Sequence, residues 1–170
     1  VGTPQPTGQE KHLFYNSVLC IKPDGLVTGS YAKVRLLAFA EGASGVLGSY
    51  SENLSSPRYI AHTNKNVIKT EHGNIGMTIC NENIYQSLVR SAVRDGAELV
   101  VNMSNDAWFP HSVQLHWHFI MNIFRAVEVR RDFIVASNVG YSGYVDAAGR
   151  SGKRTRTFSK AITQFEIKKS

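Results

Sequence analysis

Cysteine is scarce in this sequence, with two residues in 170, which excludes a disulfide scaffold, and Cys20 and Cys80 lack the spacing of a cysteine-based metal site. No apolar run approaches the eighteen or so residues that a membrane span needs. The opening "VGTPQPTGQEKH" has no basic segment followed by an apolar stretch, so it does not read as a signal peptide. Internal repeats and low-complexity segments are missing as well. Basic residues are nowhere interleaved with aromatics in a motif that reads RNA or DNA, so nucleic acid is not an expected partner. Acidic residues are the minority charge: 13 Asp and Glu stand against 19 Lys and Arg, a net +6. Much of that surplus sits in "GRSGKRTRTFSKAITQFEIKKS". A basic balance favours anionic surroundings such as phospholipid headgroups, and otherwise reads as a solvated face.

What is present is an ordinary globular composition, 42% hydrophobic, enough for one core and, by default, one domain over residues 1–170. "FYNSVLCIKPDGLVTGSYAKV" reads as two strands joined by a turn at Pro23, Asp24 and Gly25, a hairpin that delivers Lys33 at its far end. Residues 36–57 are rich in Gly and Ser without a period and read as a long loop, with 37–57 a lid over the site. "NVIKTEHGNIGMTIC" reads as a second hairpin turning at His72, Gly73 and Asn74, whose strand "IGMTIC" ends at Cys80. A helix follows with Ile84, Leu88, Val89 and Val93 on one stripe, stopping near Gly96. "AELVVNM" is a buried strand, Val113 to Arg131 a helix with Phe119, Ile123, Ala126 and Val127 on its apolar side, and "DFIVASN" a strand. "GYSGYVDAAGR" reads as a strand and turn, and "KAITQFEI" alternates like a final strand.

This order makes an α/β layered fold, in which strands feeding helices leave a crevice at their C-terminal ends. Cys80, Asn105 and Asn138 all fall at such ends. A thiol between a strand and a helix N-terminus is where a nucleophile is activated, although a buried structural cysteine fits the position equally well. Cys20, in alternating "SVLCIK", reads as filler. The commonest partner of a nucleophilic cysteine is histidine, and six are available: His12, His62, His72, His111, His116 and His118; spacing alone selects none of them. His116 and His118 sit two apart on a predicted helix, on different faces, so they make no metal pair and read as surface or packing residues. Lys33, with Glu41 eight residues on, is the alternative: an ammonium to hold an oxyanion and a carboxylate to accept a proton. Asn105 and Asp106 fit an Asx turn, Trp108 a core anchor, and Arg125 with Glu128 an ion pair on one helical face.

"YAKVRLLAFAEG", "GMTICNE", "NMSNDAWF" and "HFIMNIFRAVEVRRDFIVASNVGYSGYVDAAGR", in that order, resemble the carbon–nitrogen hydrolase (nitrilase) superfamily. Within it they are most similar to the catalytic domain of bacterial apolipoprotein N-acyltransferases. The resemblance implies an αββα sandwich whose N-terminal part is missing from this sequence, and a Glu-Lys-Cys triad. Lys33 matches the triad's lysine and Cys80 its nucleophile; the triad's glutamate lies in the family ahead of the segment that opens this sequence. Glu41 matches a further essential glutamate, Glu82 the glutamate two after the cysteine, and Trp108 the tryptophan of the Asn-Asp-Ala-Trp loop. Asn81, where the family has Tyr, and Asn105 complete the expected substrate-binding set. The implied reaction moves an acyl chain from phospholipid, through a Cys80 thioester, to the N-terminal amine of a lipoprotein, without metal or cofactor. The implied location is the bacterial inner membrane, with this domain facing the periplasm. A soluble amidase or nitrilase-type hydrolase shares Lys33 and Cys80 and remains open on sequence alone, as does an inactive fragment with a basic binding surface. "FAEGASG" and Asn81 depart from the family's pattern beside the site.

Overall fold

The computed structural model describes residues 2–8, 13–37, 41, 58–109 and 111–167, and the chain divides into two compact units, Val1–Lys65 and Asn66–Ser170. The expected lid over 37–57 lies outside the described residues except for Leu37 and Glu41. No helix among the described residues is long and apolar enough to cross a membrane.

The first unit is a sheet built on the predicted hairpin. Strands β2 (Leu13–Ile21) and β3 (Val27–Ala32) pair antiparallel. Their connection closes as its composition demands: Gly25 takes φ +87°, Lys22 and Leu26 bond across the turn, and Asp24 Oδ1 accepts the Leu26 N–H at 2.9 Å. Two strands were not anticipated. The first, β1 (Gly2–Pro6), pairs among the described residues with β2 alone, and its prolines at positions 4 and 6 are tolerated because an edge strand need not donate on its outer side. The other, β4 (Arg58–Tyr59), adds a short parallel pairing to β2.

The second unit carries a five-stranded sheet in the order β5-β6-β7-β8-β9, from β5 (Val67–Thr70), β6 (Gly73–Ile79), β7 (Leu99–Ser104), β8 (Asp132–Ser137) and β9 (Gly143–Val145). The central pairs β6·β7 and β7·β8 are parallel, as their short, nearly continuous apolar runs require. The crossovers run through α1 (Gln86–Arg94) and α2 (Gln114–Val129). Val89 of α1, Phe119 and Ala126 of α2, and Val100, Phe133, Val135 and Val145 of the sheet form one buried cluster, each large side chain contributing about 2 kcal/mol by leaving water.

Four expectations need correction. The β5–β6 hairpin turns at Glu71 and His72, with Gly73 and Asn74 already paired in the ladder; the Thr70 hydroxyl closes the shorter loop by donating to Gly73 O at 2.7 Å. The helix after Cys80 is interrupted: Cys80–Ile84 form a 3-10 turn, Tyr85 is extended, and α1 starts only at Gln86, leaving Ile84 47% exposed. Val127 faces solvent, because the buried stripe of α2 runs through Phe119, Asn122 and Ala126 instead. Residues 160–167 form no strand; their alternation finds no ladder partner among the described residues, and Phe165 stacks on Tyr144 with ring centres 5.6 Å apart.

Candidate active site

Lys33 follows β3 directly and is 1% exposed. Its backbone is held on both sides, the N–H donating to Asn16 O at 2.8 Å and the carbonyl accepting from His62 N–H at 3.0 Å. Its ammonium lies 2.5 Å from Glu41 Oε2. Glu41 in turn accepts from Asn16 Nδ2 and from the Leu37 N–H, both at 2.8 Å. Burial pushes the Glu41 carboxyl up, but the hydrogen bonds from Lys33, Leu37 and Asn16 outweigh it and hold the group below its ordinary value. Within the first unit, therefore, the two residues matched to the family's lysine and second glutamate form one charged, fully engaged pair.

In the second unit Cys80 stands where β6 ends, half-buried, with φ +53°. A non-glycine residue in that left-handed region is strained by about 1 kcal/mol. The turn around it is clamped at several points. Asn102 Nδ2 of β7 donates to Cys80 O at 3.1 Å and to Thr78 Oγ1 at 2.9 Å, and Glu82 Oε2 accepts the Ile79 N–H at 2.9 Å. Asn83 Nδ2 donates to His118 O at 3.0 Å, tying the turn to α2. A 3-10 turn rather than an α-helix N-terminus therefore follows the thiol, so the expected macrodipole of a full helix at Cys80 is not there.

The C-terminal ends of β6, β7 and β8 bring the other polar groups together. Asn105 Oδ1 accepts from Ala107 N–H at 3.2 Å, an Asx turn as its sequence requires, and from Asn138 Nδ2 at 2.7 Å. Asn138 Oδ1 accepts the Asp106 N–H at 2.9 Å. Asp106 itself is not a simple turn residue: it is 2% exposed and its carboxylate accepts from Ser137 Oγ at 2.7 Å, from Ser104 Oγ, and from His118 Nδ1 at 2.7 Å. Gly140 makes room for it, since a Cβ there would lie 2.3 Å from Asp106 Oδ2. Burial pushes the Asp106 carboxyl up, and the bonds from His118, Ser104 and Ser137 more than reverse this, leaving it below its ordinary value.

His118, read from spacing as a surface or packing residue, is buried, and a ring nitrogen of His118, an oxygen of Asp106 and Cys80 Sγ all lie within 4.8 Å of one another. The 2.7 Å His–Asp contact is a hydrogen bond, too short a bite for two ligands of one ion, and the Asp106 oxygens are already occupied. Of the other expected substrate contacts, Asn81 is half-buried beside Cys80 and Glu82 is wholly buried. Trp108 is 75% exposed, which removes the reading of a core anchor. Arg125 and Glu128 do pair, at 3.0 Å, with Arg90 joining Glu128 at 2.9 Å. Sequence reasoning missed Asn102, Ser137, Gly140 and the burial of His118; the strand-end positions of Cys80, Asn105 and Asn138 pointed to this rim.

The carbon–nitrogen hydrolase family model matches residues 1–167. Among named proteins, the chain is 32% identical to an apolipoprotein N-acyltransferase of Geobacter metallireducens over 99% of its own length and 33% of that relative. It is 34% identical to one of Thermotoga maritima over 90% of its length and 31% of that protein. The chain thus spans about a third of the length of the curated relatives it matches. Solved structures with the same fold include a carbon–nitrogen hydrolase of Helicobacter pylori G27, at 17% identity and TM-score 0.71, covering 91% of this chain and 56% of that one. Another is Saccharomyces cerevisiae Nit3, a member of branch 10 of the nitrilase superfamily, at 20% identity and TM-score 0.67, covering 92% of this chain and 54% of that one.

Proposed function

The chain belongs to the carbon–nitrogen hydrolase family, and from that premise we propose that it is part of the catalytic domain of an apolipoprotein N-acyltransferase with Cys80 as its nucleophile. The observation that carries this reading is the similarity to enzymes of that name in Geobacter metallireducens, Thermotoga maritima and Bdellovibrio bacteriovorus across 90–99% of the chain. The local chemistry of Cys80 supports it: a thiol at a strained strand end, its carbonyl pinned by Asn102, is presented by a rigid turn.

In the proposed reaction the Cys80 sulfur attacks the ester carbonyl of a phospholipid, and the C–O bond breaks. The thiol proton ends on the departing glycerol oxygen, and the acyl chain stays on sulfur as a thioester. The α-amine of a lipoprotein's N-terminal residue then attacks that thioester; the amide forms and its displaced proton restores the thiol. The role assigned to Lys33 is to balance the oxyanion of each tetrahedral intermediate, and the role of Glu41 is to hold that ammonium in place. Glu82, Asn81, Asn105 and the exposed ring of Trp108 are assigned to substrate contact, Trp108 toward the acyl chain. The full-length protein then acts at the bacterial inner membrane, with this domain facing the periplasm.

The test is to incubate the full-length protein with phospholipid carrying a labelled acyl chain and to map the label by mass spectrometry. Hydroxylamine-labile label on Cys80, absent in Cys80→Ala and reduced in Lys33→Ala, is the expected result. Turnover of a small amide with no label on Cys80 would overturn the acyltransferase reading.

A further inference from the structure

Between Asp146 and Glu166 the sequence holds five Lys and Arg and no acidic residue, and the chemistry at Cys80 uses none of them. Two of the five are engaged. Arg150 Nε pairs with Asp146 Oδ2 at 2.6 Å, and the Arg154 guanidinium lies over the rings of Phe119 and Tyr141, 4.9 Å from each centroid. Lys153, Arg156 and Lys160 are exposed and make no ion pair among the described residues. Apolar side chains stand among them: Phe158 is 45% exposed and Ile162 wholly exposed. A face meant only for water would carry polar groups at those positions. Free cations interleaved with exposed apolar groups are the composition of a surface that lies at an interface.

The backbone of this segment, rather than its charges, holds it in place. Gly152 N–H donates to Tyr144 O at 3.2 Å, Thr155 N–H to Ser142 O at 2.9 Å and Phe158 N–H to Val139 O at 2.9 Å, while Thr155 Oγ1 accepts from Ser142 N–H at 2.9 Å. Arg154 anchors against its two rings, and Lys153 and Arg156 on either side of it stay in solvent. The ring of Phe158 stacks on His111, centroids 4.4 Å apart. That contact joins the segment to the loop whose Trp108 and Val113 are also exposed. Long basic chains and aromatic rings suit headgroup depth, where an apolar body is covered and a polar tip stays wet.

We propose that residues 153–162 form a docking surface for an anionic phospholipid membrane, with Lys153, Arg156 and Lys160 against the headgroup phosphates and Phe158 and Ile162 at the acyl boundary. This rests on the reading of the domain as one that works at a membrane, and on neither the nucleophile nor the acyl donor. Charge complementarity selects the occupant: three unpaired cations in a run without an acid find their counter-charges in an anionic partner. The apolar groups between them call for a partner that also offers hydrocarbon, which a phosphate ion or a nucleic-acid backbone lacks. The three cations together favour an anionic leaflet over a neutral one by about a hundredfold.

The experiment is hydrogen–deuterium exchange of the full-length protein in nanodiscs of phosphatidylcholine, alone or with about one-third phosphatidylglycerol. Peptides covering residues 153–162 are followed by mass spectrometry. Their exchange is expected to slow by about fivefold or more in the anionic discs, and the triple variant Lys153→Glu, Arg156→Glu, Lys160→Glu is expected to lose that slowing. Equal exchange in the two lipids, or a slowing that survives charge reversal, would overturn the proposal. Where the triple variant does not fold, salt decides: a difference between the two lipids that persists at about 0.5 M sodium chloride would overturn it. A single-stranded oligonucleotide that slows the segment in neutral discs, where phosphatidylglycerol does not, would overturn it in favour of nucleic acid. Acyl label on Cys80 in the same discs tests the acyltransferase reading separately. Label without a lipid-dependent segment sinks this inference alone, and a lipid-dependent segment without label sinks that reading alone.

Discussion

Asn102 reaches from β7 to the carbonyl oxygen of Cys80 at 3.1 Å while bonding Thr78 Oγ1 at 2.9 Å, so one buried amide secures both the last residue-pair of β6 and the turn beyond it. The clamp explains how a cysteine persists at φ +53°. The strain is local and is offset by bonds made on the neighbouring strand.

Glycine accepts that backbone without strain, which makes Cys80→Gly and Cys80→Ala an informative pair. Both remove the thiol and are expected to abolish thioester formation. Cys80→Gly should nevertheless be the more stable of the two by about 1 kcal/mol, the reverse of the usual ranking. Urea denaturation of the two variants checks this; a more stable alanine variant would remove the argument for strain.

Glu41→Gln leaves the Lys33 ammonium buried beside a neutral amide. Losing one partner of such a pair costs about 3 kcal/mol, and acyl transfer should fall at least tenfold. Adding Lys33→Met to that variant should restore most of the stability and none of the activity. A double-mutant cycle read by denaturant midpoints, alongside the labelled-lipid assay, separates the two effects.

Acid should destabilise the fold through two identifiable carboxylates. Glu41 and Asp106 are held below their ordinary values of 4.5 and 3.8. The stability they contribute is therefore complete above those values and is lost as pH falls through their depressed folded values. Below about pH 4.5 unfolding should take up protons, and Glu41→Gln and Asp106→Asn should each flatten the decline. Denaturant midpoints taken from about pH 6 to about pH 3 measure the slope; equal slopes in all three proteins would contradict it.

Gly140→Ala would place a methyl 2.3 Å from Asp106 Oδ2 and 2.7 Å from Ser137 Oγ. Displacing the carboxylate should lower stability by about 2 kcal/mol. Gly152→Ala, which meets nothing within 4 Å, is the control. Equal melting temperatures for the two variants would show that the Asp106 seat tolerates the methyl.

Local chemistry made part of this molecule legible from its sequence. Pro23, Asp24 and Gly25 specify their own turn, and short apolar runs bounded by polar turns specify β6, β7 and β8, because the determining contacts lie within a few residues. The order of motifs carried the family. Alternation without a partner misled at 160–167, since a strand exists only where another offers its ladder. Apolar periodicity likewise carried the helix back through Ile84, where the Cys80 backbone and the Glu82 carboxylate impose a 3-10 turn instead.

The surroundings of Cys80 were decided by tertiary structure alone. The parallel β6, β7 and β8 end at one rim, and only there do Asn102, Asp106, Ser137, Asn138 and Gly140 become neighbours. His118 carries no mark in the sequence that separates it from His116; the phase of α2 against the sheet buries one and exposes the other. A residue's type and local period determine which elements form, whereas the partner of a buried imidazole depends on how separate elements pack, and that information is spread over the whole chain.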